Sequence, residues 1–573
     1  MKRAATLLCL LLLAAGYVFL QTPAPSRDLA TLAPGGATLY LEAQDLSALL
    51  RDWDASKVKA DWQASDNYAV FSRSNLFQKL GGVYREYGET AGFLPDLKSV
   101  IGLAGTQAAL ALYDLREVEF LYISRLGQTQ FSQSALAAVR GKFEQRQAGG
   151  VTFYLRTDPT SKRTVAFATS GGYLFLATRD DLVARALALL AGGSDPSVAS
   201  EPWYHNATAT AQRRGELRLV MNLDALVKSV YFRSYWIQRN TSALRGYWAG
   251  VADVNRSRSD ITETRVFLRR PEAVGQARAT DGPDAVGRLV ALVPAQAGEY
   301  KAYSAASAPD PAALIIERLI ATPPRQSRDW RYAPSAISPD EHAGSEADLE
   351  TRMDEPPLPG DAGGSNALRT VRTMLQRTGV KALLHAQSSD SAGETFIRTR
   401  SVIVLEGSGA WDAAQVRQAL SESAGALWTV SAIGAGWTSA TFGRQSAERL
   451  DGLGTLLFAA RGPLLFLGND PALLSAILDR VGSTSAAAPA TYAAGFRHLR
   501  ERAAFERMMS ALDFTSPQPG MRFGFVPASA APAFFSANLA SLDRVLARVS
   551  EISVTAEDRT NAVVQRVVYR ITP

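Results

Sequence analysis

Two stretches of this sequence lie over one another without a gap: "TVAFATSGGYLFLATRDDLVARAL", from Thr164, and "TLLFAARGPLLFLGNDPALLSAIL", from Thr455. Phe167 coincides with Phe458, Gly171 with Gly462, Phe175 with Phe466 and Leu187 with Leu478. Self-similarity at long range constrains a chain more than local propensity does, because one supersecondary unit has to satisfy both copies. Each copy reads as a strand, a tight turn carrying Gly, a second apolar strand, and a helix with apolar residues at helical spacing. In the second copy Asp470 followed by Pro471 predicts an N-cap and a proline at the first helical position.

A second pair extends the match. "LAPGGATLYLEAQDLSALL", from Leu32, resembles "LVPAQAGEYKAYSAASAPDPAALI", from Leu292, in a Leu-x-Pro entry, a short strand and then a helix. The spacing between copies is wider at the hairpins than here, so the second half carries an insertion. Residues 322–365, rich in Pro, Gly and acids and without apolar periodicity, supply it and read as a disordered loop. Each half closes on a strand-like run, "RVFLRR" from Arg265 and "RVVYR" from Arg566, after helices that follow "ELRLVM" and "MRFGFV". The expected fold class is α+β, with two similar domains from an internal duplication, residues 27–271 and 287–573, joined by a linker at 272–286. Each domain is expected to be an antiparallel sheet with helices packed on one face.

The N-terminus has the parts of an export signal: Lys2 and Arg3, then "LLCLLLLAAGYVFL", with no further charge until Arg27. Nine large apolar residues at about −0.5 kcal/mol each give about −4 kcal/mol for membrane entry. Cleavage is disfavoured, because Ala14 and Gly16 would direct a cut inside the apolar run, and Thr22 and Ala24 would place Pro25 after it. The run from Ala4 to Leu20 reaches the lower limit of about 17 residues for a spanning helix. Residues 1–26 are therefore read as a signal peptide retained as a membrane anchor. Residues 4–20 would sit in the inner membrane and the remainder on the periplasmic or extracytoplasmic face.

Cys9, the only cysteine, lies near the start of the run after Leu8, which argues against a lipid-modified terminus. An exported part without cysteine has no structural disulfide, thiolate metal site or cysteine nucleophile. Stability then rests on packed cores, and 573 residues with 47% apolar composition are enough for several. The net charge of +6 is diluted over the whole length, with no run of five Lys or Arg. No nucleic-acid partner is expected.

The search for chemistry assigns no catalytic residue, no cofactor and no metal ligand. The sequence has no G-x-S-x-G elbow, no P-loop, no G-x-G-x-x-G after a strand and no H-E-x-x-H. His205, His385 and His498 have no ligand spacing around them and read as core or surface histidines. His342, among Asp340, Glu341, Glu346, Asp348 and Glu350, reads as part of a solvated linker rather than a loose site for a hard cation. Asp180 and Asp181 resemble a paired-carboxylate acid/base site. Their counterparts in the second copy are Pro471 and Ala472, so they read as acids favouring a helix N-terminus.

One segment stands out, "SVYFRSYWIQRNTSALRGYWAG" at residues 229–250, where aromatic rings alternate with arginines. Its functional reading is an interface in which Arg233, Tyr235, Trp236, Arg239 and Trp248 meet anionic lipid head groups or cell-wall glycan. Its structural reading is a core-facing helix whose Arg stems reach to solvent.

The N-terminal anchor, the entry "LAPGGATLYLEAQDLSALLRDW", the stretch "LAGTQAALALYDL" and the unit "GYLFLATRDDLVARAL" give the whole chain a further likeness. It resembles large bacterial families of exported, signal-anchored envelope proteins known only as domains of unknown function. That resemblance implies an extracytoplasmic location and no classical enzyme activity. The expected function is a non-enzymatic binding or structural module whose partner is an envelope protein, lipid or glycan. The alternatives are an exported hydrolase with an unrecognised carboxylate site, or a lipid-handling scaffold. Mass spectrometry of the membrane-extracted protein is expected to find residues 7–20 still present; a mature chain beginning near Tyr17 or Pro25 would contradict the anchor.

Overall fold

Apolar runs too long to alternate, such as "VIVLEG" from Val402 and "LLFAA" from Leu456, build the strands at the centre of this protein. The computed structural model describes residues 27–228, 244–272, 283–320, 366–390, 398–424, 436–482, 490–515 and 546–572, short of Ser74, Gln212 and Leu453. The proposed loop at 322–365, the run "MRFGFV" and residues 1–26 therefore lie outside the described residues. The chain divides into two compact units. One takes in the described residues of Met1–Ser47 and Glu86–His205, the other those of Ala48–Arg85 and Asn206–Pro573. Both ends of the expected linker fall within the second unit, and its last residues, from Pro283, are already helical.

In the first unit the strands are β1 (Leu39–Ala43), β2 (Ala108–Asp114), β3 (Glu119–Arg125), β4 (Glu144–Ala148), β5 (Val151–Thr157), β6 (Thr164–Ser170) and β7 (Tyr173–Ala177). They pair antiparallel in the order β1-β2-β3-β7-β6-β5-β4. Between β1 and β2 the chain runs through α1 (Leu46–Asp54), α2 (Lys57–Gln63), α3 (Asp66–Phe71), α4 (Asn75–Ala91) and α5 (Leu97–Ala104). Two short helices, α6 (Gln128–Ser132) and α7 (Ala135–Val139), follow β3, and α8 (Asp180–Leu190) follows β7.

The second unit holds β8 (Leu217–Asn222), β9 (Tyr247–Arg256), β10 (Asp260–Arg269), β11 (Glu299–Ser304), β12 (Val380–Asp390), β13 (Arg398–Gly407), β14 (Thr438–Phe442), β15 (Gln445–Asp451), β16 (Thr455–Arg461) and β17 (Leu464–Gly468). After them come β18 (Tyr492–Phe496), β19 (Val549–Asp558) and β20 (Ala562–Ile571). All pair antiparallel, in the order β8-β9-β10-β20-β19-β18-β11-β12-β13-β17-β16-β15-β14. Its helices include α9 (Pro283–Ala291), α10 (Asn366–Thr378), α11 (Ala413–Ala424), α12 (Pro471–Leu478) and α13 (His498–Thr515). The protein thus mixes helix and strand around a large antiparallel sheet, as expected. The strands from β11 to β17 pair in the same order as β1 to β7, and the hairpin register also recurs. Phe167 stands opposite Leu176, and Phe458 opposite Leu467.

Local chemistry explains the hairpin and the helix start. Gly171 and Gly172 sit at φ of 60° and 80°, as a two-residue mirror-image turn requires, and Gly462 sits at 57° before Pro463. Asp470 caps α12 by accepting from the Leu473 amide at 2.8 Å, with Pro471 at the first helical position. The first copy has no side-chain cap: Arg179 stands at the N-cap position, and Asp180 and Asp181 occupy the first turn of α8.

The expectation that helices cover one face does not hold. In the second unit α9 and α12 pack on the face that carries Leu384, Val402, Val404 and Phe466. The opposite face, with Leu383, Ile403, Leu405 and Phe458, is covered by α10, α11 and the helical turns at Pro311–Ile320. In the first unit α8 lies over β6 and β7, while Phe167 and Leu174 meet α6 and α7 on the other side. The physical reason was present in the strands. A sheet with one wet face alternates, whereas continuous apolar runs place side chains on both faces and need cover on both. Among the described residues, no helix is long and apolar enough to cross a membrane. Phe175 and Phe466 are fully buried, so truncating either to Ala is expected to cost about 3 to 5 kcal/mol in denaturant unfolding. A loss under about 1 kcal/mol would show that the site repacks.

Candidate functional site

Of the residues singled out in 229–250, Arg233, Tyr235, Trp236 and Arg239 lie outside the described residues. Trp248 is half-buried in β9, at a bulge where Leu268 pairs with Ala249 and Arg269 with Tyr247. The described end of that segment is thus strand, not helix. Tyr247 packs on Phe267 at 5.5 Å between ring centroids, with the Arg269 guanidinium 5.9 Å from its own. Burial raises its phenol pKa.

The other sequence candidates serve the fold. Asp180 pairs with Arg146 at 3.0 Å and Asp181 with Arg179 at 2.7 Å. His205 is exposed on the helix Pro202–Ala211, and His498 is buried at the start of α13. His342 lies outside the described residues. His385 is buried in β12, its Nε2 3.5 Å from the Ser401 hydroxyl. Burial, with the Arg318 cation as second cause, pushes its imidazole down to about 4. Among the described residues no carboxylate hydrogen-bonds this ring, so the pair lacks the orienting group that a nucleophile–base arrangement uses.

A different surface emerges from residues 48–85, in helices α1 to α4. Ser56 caps α2 through the Lys59 amide at 3.2 Å, and Ser65 caps α3 through the Tyr68 amide at 3.1 Å. These caps break the segment into short helices that bury no side chain in α1 or α2. Of the eleven large apolar side chains exposed among the described residues, five fall here: Trp53, Phe71, Phe77, Leu80 and Tyr84. Trp53 is 47% exposed and Leu80 56%. Rings gather on this arm, with Trp62 against Tyr68 at 6.0 Å, Tyr68 against Phe77 at 6.4 Å and Phe71 against Phe77 at 5.4 Å.

Three acids on the arm are held in ion pairs. Asp52 pairs with Arg256 at the end of β9, at 3.2 Å, and Asp61 with Arg548, beside the start of β19, at 2.6 Å. A third acid, the exposed Asp54, pairs with Lys59 on the arm itself at 2.5 Å. Arg51, Lys57, Arg73 and Arg85 are exposed and have no ion pair among the described residues. Sequence reading passed over this arm in favour of 229–250, although "DWDASKVKADWQ" already spaces aromatic and basic residues along short helices.

A groove of about 260 Å³ lies between α10 and α11, lined by Arg369, Thr373, Arg377, Gln415, Gln418 and Glu422 among others. Its walls are polar, and Gln418 already donates to Glu422 at 2.9 Å. Among the described residues no group of His, Cys, Asp and Glu is arranged to hold a metal ion.

No family model matches the sequence, and no curated protein does. Solved structures of TP0453 are similar at 12% identity. Its crystal form I covers 43% of this chain and 80% of that one with a TM-score of 0.24, and its crystal form IV 45% and 86% with 0.25. A likeness at this level carries no argument.

The buried His385 gives a pH dependence. Its folded pKa lies below the ordinary value near 6.5, so the unfolded chain binds the extra proton first. Its contribution is complete above about pH 6.5 and falls away as pH drops towards 4, by about 3 kcal/mol in all. Denaturant unfolding at pH 7 and pH 4 is expected to show that loss in the native protein and not in His385→Gln. Equal pH dependence in the two would place the imidazole in contact with water.

Proposed function

We propose that this protein is a membrane-anchored, extracytoplasmic envelope protein that acts as a non-enzymatic binding module, and that the outward face of residues 48–85 is its binding surface. The observation that carries the reading is the concentration of exposed rings and unpaired cations on that arm. Scattered exposed apolar residues are ordinary, but a contiguous set rimmed by charge marks an interaction site. The N-terminal apolar run supports export and anchoring by residues 4–20, and the likeness to signal-anchored envelope families points the same way.

We also infer that the chain arose by internal duplication. The recurring strand order and the recurring hairpin register support it.

A photo-crosslinking phenylalanine placed at Phe71 or Leu80 of the full chain tests the binding surface in intact envelopes. Adducts are expected at both positions and not at Leu499, an exposed apolar residue on α13. Equal yields at all three positions would remove the arm as the binding surface.

A further inference from the structure

We propose that the partner of the arm is the head-group layer of an anionic lipid bilayer, on which α1 to α4 lie flat with Trp53, Phe71 and Leu80 directed into the interface. This rests on the reading of the arm as the binding surface and adds the chemistry of what it binds.

Four features favour lipid over a protein or a glycan. Short helices that expose aromatic and aliphatic side chains with cations among them have the composition of interfacial helices, whose rings settle at head-group level while the cations meet phosphate. The arm's charge suits an anionic partner: Asp52, Asp54 and Asp61 are each paired, with Arg256, Lys59 and Arg548, whereas Arg51, Lys57, Arg73 and Arg85 remain exposed without ion pairs among the described residues. A sugar platform would instead set free carboxylates beside its rings to bond hydroxyls, whereas Asp52, Asp54 and Asp61 are each engaged in an ion pair. Leu80, the most exposed of the five, offers a ligand no hydrogen bond and suits hydrocarbon. The sequence around the arm is also consistent with proximity to a bilayer, since the apolar run at residues 7–20 lies only some 30 residues before it.

Each Lys or Arg close to an anionic surface contributes about fivefold in affinity, and salt screens that gain. The arm's docking should therefore depend on lipid charge. The test uses the full chain carrying Leu80→Cys in a Cys9→Ser background, with an environment-sensitive fluorophore on the new thiol. Quenching by the neutral quencher acrylamide is compared in phosphatidylcholine vesicles and in vesicles that also contain phosphatidylglycerol. The inference expects a blue-shifted label whose quenching falls about threefold or more with the anionic lipid, a fall reversed by high salt and by Arg51→Gln with Lys57→Gln. Thermal melting confirms that these variants fold, and a label at Leu499 should not respond.

Equal quenching in both lipids would overturn the inference. So would a label shielded before any vesicle is added, because the chain itself would then cover the face. Crosslinks from Phe71 to an envelope protein, with no protection in pure lipid, would leave the arm as a binding surface and remove lipid as its partner. Absence of both signals would remove the two readings together.

Discussion

The central strands of this protein are apolar on both faces, and the rest of the architecture answers to that. Leu383 and Leu384 are neighbours in β12 and both fully buried, but they belong to different cores on opposite sides of the sheet. Ile403 and Val404 divide in the same way. Without cover on both sides, each such pair would leave one large side chain in water at about 1.5 to 3 kcal/mol. The helices that follow β7 and β17 cover one face. Those inserted between other strands, α6 and α7 in the first unit and α10 and α11 in the second, cover the other.

The same economy leaves little apolar surface over, which is why the arm of residues 48–85 stands apart. Its short helices are capped by serines and bury little; Asp52 and Asp61 pair with Arg256 and Arg548 of the same unit, and Asp54 with Lys59 on the arm itself. With these acids paired, exposed rings and exposed cations without ion pairs remain among the described residues. Such a distribution would arise at no energetic advantage to the isolated fold, since surface ion pairs contribute at most about 1 kcal/mol each. It has a consequence for what the surface attracts: a negatively charged partner with an apolar layer beneath it.

Elsewhere the titratable groups are absorbed into structure. Arg218 and Asp253 form a buried bidentate pair between β8 and β9, at 2.7 and 2.8 Å, which also receives the Gly215 amide. Pairs of this kind are costly to break rather than strongly stabilising, and they fix strand register. Asp180 and Asp181 are held by arginines at the start of α8, and His385 is kept neutral by burial. Each is accounted for by packing or capping.

Much of the strand and turn pattern was legible in the sequence because its causes are local. The hairpins at Thr164 and Thr455, with Gly171 and Gly462 at their turns, and the Asp470–Pro471 helix start follow from short apolar runs, positive φ and capping. The two-sided cover was also encoded, in the unbroken runs "VIVLEG" and "LLFAA", but it was misread because a run alone does not say which helix comes to lie on which face. Only the tertiary structure decided what depends on distant partners. It set β10 against β20, gave Asp52 and Asp61 to arginines some 200 and 490 residues away, and left Trp53, Phe71 and Leu80 uncovered among the described residues. A sequence records that a residue is apolar or charged; whether it meets a core, an ion pair or the outside is settled by long-range contacts that no local pattern contains.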